Sequence, residues 1–358
     1  MLERFFLFIL RKFPPEIAHN IGLLALKCGL IPSKRKITNK LISINLFGYK
    51  LSNPIGLAAG FDKNAEGLPG LLKQNFSFIE VGTVTPLPQK GNIKPRIHRL
   101  TNQKSIINSL GFPNLGAAKV LTNVNQVRKY HKLGHEPLIG VNIGYNKESR
   151  FPNDDFVKCF ETFFHVSDYI TINISSPNTP GLRKLQFKNK LEPLLKKLYS
   201  IRKKLYKKYK RSIPLVIKIS PDLRKLDLKT ISELSIKYNL QAIIATNTSV
   251  DKKLKKNNKI FNLEGGVSGK LLSKNSNKIL ITLSNFTKGK IQIIGVGGID
   301  SADSLLEKFE NGANAVQLYS SLVYNGLSLI DKILFDLIKI IKSRGYKNIS
   351  FINKNEKI

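Results

Sequence analysis

Short, strongly apolar runs alternate with longer amphipathic stretches along almost the whole chain. The runs fall at 55–59, 76–81, 138–143, 169–174, 215–219, 242–245, 291–295 and 315–318. Between most of them, apolar residues recur at helical spacing, as at 154–167, 187–210, 223–238 and 301–311. Eight strands alternating with helices predict an α/β fold, a parallel (β/α)8 TIM barrel. The stretch SINLFGYKLSN at 43–53 reads as a small hairpin ahead of it. No repeat or low-complexity linker interrupts the pattern. The expected organisation is a helical appendage over 1–40, one barrel over 41–340 and a basic tail over 341–358.

In such a barrel the carboxyl ends of all eight strands open onto one face, where active sites form. Here every one of those ends is polar or glycine-rich. Gly60 and Lys63 follow the first run in AGFDK, and Thr83 follows the second in GTVTP. Asn142 and Asn173 sit in the third and fourth, Lys218 ends the fifth, and Thr246-Asn247-Thr248 follow the sixth. GVGG at 295–298 follows the seventh, and Tyr319-Ser320 end the eighth. Glycines let backbone N–H groups approach an anion closely, so GVGG, Tyr319-Ser320 and GVSG at 266–269, in the long loop after strand six, predict a corner for a phosphorylated ligand. A lysine at a buried strand end faces an anion, because an unpaired buried charge is costly. Asp62 is a candidate partner for Lys63, whereas the run VIKIS offers Lys218 no local acid. The amides of Asn108, Asn173, Asn178 and Asn247 supply donors and acceptors suited to a planar, amide-rich ring.

The fourth run leads into INISSPNTPG, a stiff turn set by its prolines and glycine and crowded with Ser175, Ser176, Asn178 and Thr179. These are ordinary turn residues, so the stretch alone is consistent either with a plain turn or with a reactive one.

The formal charge of +35 raises nucleic acid or an anionic membrane as partners. The lysines are scattered, however, and the densest run, RKKLYKKYKR at 202–211, continues an amphipathic helix whose solvated face it forms. Compositional drift is the better explanation, and nucleic acid is not an expected partner. Two cysteines without C-x-x-C spacing, Cys28 and Cys159, fit a reducing compartment, and no metal site is expected. No segment is long and apolar enough to span a bilayer. The N-terminus instead concentrates Phe5, Phe6, Phe8, Ile9 and Phe13 beside Arg4, Arg11 and Lys12, ahead of Pro14-Pro15. That helix either lies on a membrane surface or packs on the protein's own body.

Taken together, GLAAGFDKN, IEVGTVTPLPQKGNIKPR, NSLGF, VNIGYNK, INISSPNTPGLR, VIKISPDL, IIATNT, GGVSG, IIGVGGI and VQLYS, in this order, resemble the membrane-associated, quinone-linked class of the dihydroorotate dehydrogenase family. Two small departures are Ser109, where the family usually has arginine, and Asn75, which interrupts a usual glycine turn. The resemblance implies oxidation of dihydroorotate to orotate in pyrimidine biosynthesis, with hydride passing to one non-covalent FMN and electrons to ubiquinone or menaquinone. It implies Ser176 as catalytic base, Thr179 as its proton relay and Lys218 beside the flavin. Ala59, Gly60, Thr83, Asn142, Asn173, Thr246, Gly269, Gly298, Tyr319 and Ser320 match the family's FMN contacts. Lys63 would bind the substrate carboxylate or the flavin edge. Asn108, Ser109, Leu110, Gly111, Phe112, Asn173, Asn178, Asn247 and Thr248 would surround the pyrimidine ring. His19 and Arg99 correspond to quinone-tunnel residues. Peripheral attachment to the cytoplasmic side of the cell membrane follows from the same resemblance.

Overall fold

The computed structural model describes residues 2–255 and 262–354. All eight expected strands are present, at Ile55–Leu57, Phe78–Val84, Leu138–Ile143, Tyr169–Asn173, Leu215–Ile219, Ala242–Ala245, Gln292–Val296 and Ala315–Leu318. They pair in parallel in chain order, and the eighth returns to the first through Val316 opposite Ile55, closing a barrel. Helices cover the outside and side chains fill the inside, so the strands are buried on both faces and read as near-continuous apolar runs. The hairpin expected at 43–53 is also present, with Ile44–Leu46 antiparallel to Tyr49–Leu51.

The hairpin plugs the amino-terminal end of the barrel. Its Phe47 ring lies 5.0 Å from Tyr169, which in turn meets Phe78 at 6.4 Å. Two strand glycines make room for these rings. A Cβ at Gly140 would come within 2.1 Å of Tyr169, and one at Gly56 within 2.3 Å of Phe78. Glycine weakens a strand in general, but here it leaves space that aromatic side chains fill.

One sheet falls outside the expected pattern. Ile97–Leu100, Ser105–Asn108 and Gly266–Gly269 form a three-stranded antiparallel sheet with its own small core of Leu100, Ile107 and Val267. The segment GVSG, expected to be part of a loop, is therefore its third strand, paired with Ser105–Asn108.

The appendage consists of helix α1 (Leu2–Leu10) and helix α2 (Pro15–Lys27). Buried Arg96 holds α2 through Glu16 at 2.6 Å, and Glu3 of α1 accepts the Ser328 N–H at 3.0 Å. Asn75 ties the segment that follows: its side chain accepts the Ile37 N–H and donates to the Arg35 carbonyl and to Asp331. At the other end of the chain, the helix Ser328–Ser343 runs on past residue 340, and Tyr346, Ile349 and Ile352 are buried in the main core. The Ile349 N–H donates to the Leu41 carbonyl.

The aromatic plug makes a specific demand. Gly140→Ala forces a methyl group into the Tyr169 ring, and overpacking of this kind costs about 1–3 kcal/mol. The variant should melt measurably below the parent in a thermal unfolding experiment, and an unchanged midpoint would show that the ring moves aside freely.

Candidate active site

Turns at the carboxyl ends of the strands, together with the three-stranded sheet and the appendage, surround one continuous cavity. From the barrel come Ala59, Gly60, Lys63, Thr83, Asn173, Ser176, Asn178, Lys218, Thr246, Asn247 and Thr248. Gly298, Tyr319 and Ser320 line the far corner, and Asn108, Leu110, Gly111, Phe112 and Gly269 lie across the mouth. His19 and Arg99 line the same cavity at the appendage end, with Leu7, Leu10, Ala18 and Gly22. Asn142, Ser109 and Thr179 are not among the lining residues. The first is engaged below the surface by Glu80 and Thr83, and the second is held through its backbone by Arg96 and Asn92.

Of the two lysines at the strand ends Lys218 is buried and Lys63 half-buried, and among the described residues neither forms a salt bridge. Lys63 donates to the Gly60 carbonyl at 2.8 Å, and burial pulls its pKa down to about 8, with Glu16 opposing. Asp62, its candidate partner, accepts instead from the Glu66 and Gly67 N–H groups at 2.9 Å and caps the following turn. Burial raises that carboxyl to about 6. Among the described residues, the Lys218 ammonium makes no hydrogen bond or ion pair. Burial lowers its pKa, and the charge that opposes this shift belongs to Glu80. Glu80, fully buried in the second strand, was not a sequence candidate.

The turn after strand four is rigidly held. Ser176 Oγ accepts the Asn178 N–H at 3.2 Å, and Tyr145 donates its hydroxyl to the Pro180 carbonyl. Arg183 clamps the turn from behind, donating to the carbonyls of Ser175 and Thr248 and pairing with Asp222 at 2.7 Å. Asn178 donates to the Asn108 carbonyl, while Asn92 donates to those of Ser109 and Asn178. Among the described residues the buried hydroxyls of Thr179 and Thr248 have no protein partner, nor do Gln317 Oε1 and Ser321 Oγ. Arg183 and Asn92 escaped sequence reasoning because their partners lie far along the chain.

The corner expected to hold a phosphate is built from glycines that no other residue can replace. Gly298 has φ +79°, and a Cβ there would lie 2.5 Å from that of Ser273. Gly269 has φ +88°, and its Cβ would lie 2.5 Å from the Lys104 carbonyl oxygen. Ser320 donates to Ser268 at 2.8 Å across the same corner. Behind it lies a further buried cation. Lys308 donates to Ser276 and Asn277, and Ser276 donates to the Val296 carbonyl at 2.6 Å.

A model of the family described as dihydroorotate dehydrogenase matches residues 41–341. The chain belongs to that family. A dihydroorotate dehydrogenase (quinone) of Buchnera aphidicola is 43% identical over 345 residues, covering 93% of this chain and 100% of the relative. The mitochondrial dihydroorotate dehydrogenase (quinone) of Oryza sativa is 38% identical, covering 93% and 76%. A crystal structure of the Eimeria tenella dihydroorotate dehydrogenase in complex with ferulenol superimposes with a TM-score of 0.89 at 32% identity, covering 96% of each chain. The protein is thus a flavin-dependent oxidoreductase that oxidises dihydroorotate in pyrimidine biosynthesis, with a quinone as electron acceptor.

The appendage meets the barrel through a file of aromatic rings. His19 lies edge-on to Phe61 at 5.4 Å, and Phe61 lies edge-on to Tyr319 at 5.8 Å. His19 Nε2 is buried and has no hydrogen-bond partner among the described residues. Burial, reinforced by the charge of Lys63, pulls the imidazole pKa down to about 3 from its ordinary 6.5. Between those two pH values the unfolded chain binds a proton that the folded one refuses, so this group makes stability fall as pH falls. Melting curves at pH 7 and 4.5 check the point: His19→Gln should lose less stability on acidification than the parent, and an equal loss would refute the neutral, buried imidazole.

Proposed function

We propose that the cavity holds FMN across the barrel mouth, dihydroorotate against the turn after strand four, and a quinone at the appendage end. The observation that carries this reading is the continuity of one cavity from Ser176 and Lys218, past the glycine corner, to His19 and Arg99. The residues fit the cofactor. Positive-φ glycines leave space for a phosphate; among the described residues, buried Lys218 has no salt-bridge partner, and unpartnered polar atoms such as Thr248 Oγ1 suit a ligand rich in hydrogen-bonding groups. Gly269, Gly298, Tyr319 and Ser320 would hold the phosphate end, and Ala59, Gly60, Thr83, Asn173, Lys218 and Thr246 the ring. Asn142 would act by holding Thr83. When bound, FMN would supply the hydride acceptor for C6 of dihydroorotate.

The chain's own groups do the remaining work. Ser176 takes the proton from C5, and because a serine hydroxyl is a poor base at neutral pH it must pass that proton on. The buried, unpartnered hydroxyl of Thr179 on the same turn suits the relay. Asn108, Asn178, Asn247 and Thr248 orient the pyrimidine ring, with Ser109, Leu110, Gly111 and Phe112 closing over it. Lys63 places a positive charge beside the substrate carboxylate or the flavin edge. Lys218 holds a second one at the end of strand five, where developing negative charge is stabilised without reorganisation.

The exposed face of the appendage supports attachment to a membrane surface. Phe5, Phe6 and Phe8 of α1 are 59%, 55% and 58% exposed, and α2 adds Ile17, Ile21 and Leu24. Arg11 and Lys12 lie beside them, suited to anionic headgroups. Among the described residues no helix is long and apolar enough to cross the bilayer. Peripheral binding on the cytoplasmic side of the cell membrane gives a long-tailed ubiquinone or menaquinone access to the cavity. The scattered lysines need no nucleic-acid partner.

Ser176→Ala tests the reading. The purified variant should remain yellow and release FMN on acid precipitation, yet its flavin should be reduced by dihydroorotate ~10²–10⁴-fold more slowly in a stopped-flow experiment, the range expected for loss of a general base. Reduction at the parent's rate would place the base elsewhere.

A further inference from the structure

Below the substrate pocket the side chains form a hydrogen-bond chain in which every link points the same way. Asn247 donates through Nδ2 to Ser175 Oγ at 2.9 Å, and Ser175 donates to Asn173 Oδ1 at 2.9 Å. Asn173 donates through Nδ2 to Thr83 Oγ1 at 2.9 Å, and Thr83 donates to Asn142 Oδ1 at 2.6 Å. Asn142 donates through Nδ2 to Glu80 at 2.7 Å, where the chain ends. Glu80 also accepts from Thr171 at 2.9 Å and Gln317 at 3.1 Å.

The direction is enforced from both ends. An ionised carboxylate can only accept, so Asn142 must turn its NH₂ group downward and its oxygen towards Thr83. At the top, two backbone N–H groups can only donate: that of Ser175 to Asn173 Oδ1, and that of Thr248 to Asn247 Oδ1 at 2.8 Å. A single hydroxyl, that of Ser175, joins Asn173 and Asn247, two of the amides that line the pocket. We propose that Ser175 and Glu80, neither of which lines the cavity, are positioning residues for dihydroorotate oxidation: they are the upper link and the lower terminus of a one-way chain that fixes which atom of Asn173 and of Asn247 faces the substrate.

The proposal rests on the reading that dihydroorotate and orotate bind against these amides. A site built to present fixed donors and acceptors to a planar ring discriminates strongly, because a turned amide sets donor against donor. An amide can exchange oxygen and nitrogen at little steric cost, so its orientation is set by its hydrogen-bond partners, here the chain together with the two backbone N–H groups. The chain removes that freedom before the ligand arrives, which is preorganisation of the pocket by groups the ligand never touches.

Orotate titrations of the FMN-loaded enzyme by calorimetry test this directly. Ser175→Ala cuts the chain between the two amides and should weaken orotate about tenfold while the FMN content stays at the parent's value. Asn142→Ala cuts the same chain below Thr83 and should also weaken orotate. The double variant should lose about as much as Ser175→Ala alone, because a chain already cut cannot be cut again, whereas independent structural defects would multiply. Unchanged orotate affinity in Ser175→Ala, or multiplied losses in the double variant, overturns the proposal. If Ser175→Ala does not fold, Asn142→Ala carries the test, and parent-like orotate affinity there overturns it equally. Failure of the parent itself to bind orotate would instead refute the substrate reading.

Discussion

A closed parallel barrel has to fill its own interior, and this one does so with aromatic rings at one end and polar groups at the other. The boundary between them is the carboxylate of Glu80, fully buried in the second strand. A buried charge is tolerated only when surrounded by donors, and Asn142, Thr171 and Gln317 provide them, with the field of Lys218 adding to them. Below Glu80 the space is packed around Tyr169 and Phe78, at the cost of glycines at 56 and 140. Above it, hydrogen bonds run through Asn142, Thr83, Asn173 and Ser175 to Asn247, so two of the pocket amides are tied to the way the barrel interior satisfies a single charge.

Much of this was legible in the sequence because topology did the work. Fully buried strands are apolar runs, and once eight of them alternate with helices, the polar residues at their ends are brought to one face. That is why Lys63, Thr83, Asn173, Ser176, Lys218 and Asn247 could be assembled without coordinates. The three-stranded sheet was not legible, because its strands come from residues 97–108 and 266–269, and a strand with two glycines in four residues reads as a loop. Asp62 was misleading as a candidate partner for Lys63: adjacency in sequence counts for less than the two N–H groups it caps. Arg183 reaches Asp222 and Thr248, 39 and 65 residues away, and Lys308 reaches Asn277 and Ser276, 31 and 32 away, beyond the reach of local pattern. Glu80 did leave a signal, a carboxylate in the middle of an otherwise apolar run, but its meaning depends on which side chains meet it inside the barrel.

The appendage adds what a barrel alone lacks, a second approach to the same cavity. Its inner side contributes Leu7, Leu10, Ala18, His19 and Gly22 to the lining, while its outer side leaves phenylalanines exposed. Glu16 and Arg96 hold it in register with the strand that carries Arg99. On the proposed reading, oxidation of dihydroorotate and delivery of electrons to a quinone divide between two ends of one space.

Gly22 offers the most direct test of that division, because it lines the appendage end and a Cβ there would meet nothing within 4 Å. Gly22→Trp places a bulky ring in the passage without a backbone clash. Anaerobic stopped-flow would follow flavin reduction by dihydroorotate, then reoxidation by a long-chain ubiquinone. A two-ended cavity predicts parent-like reduction with reoxidation slowed at least tenfold. Parent-like reoxidation, or equal slowing of both steps, would contradict it.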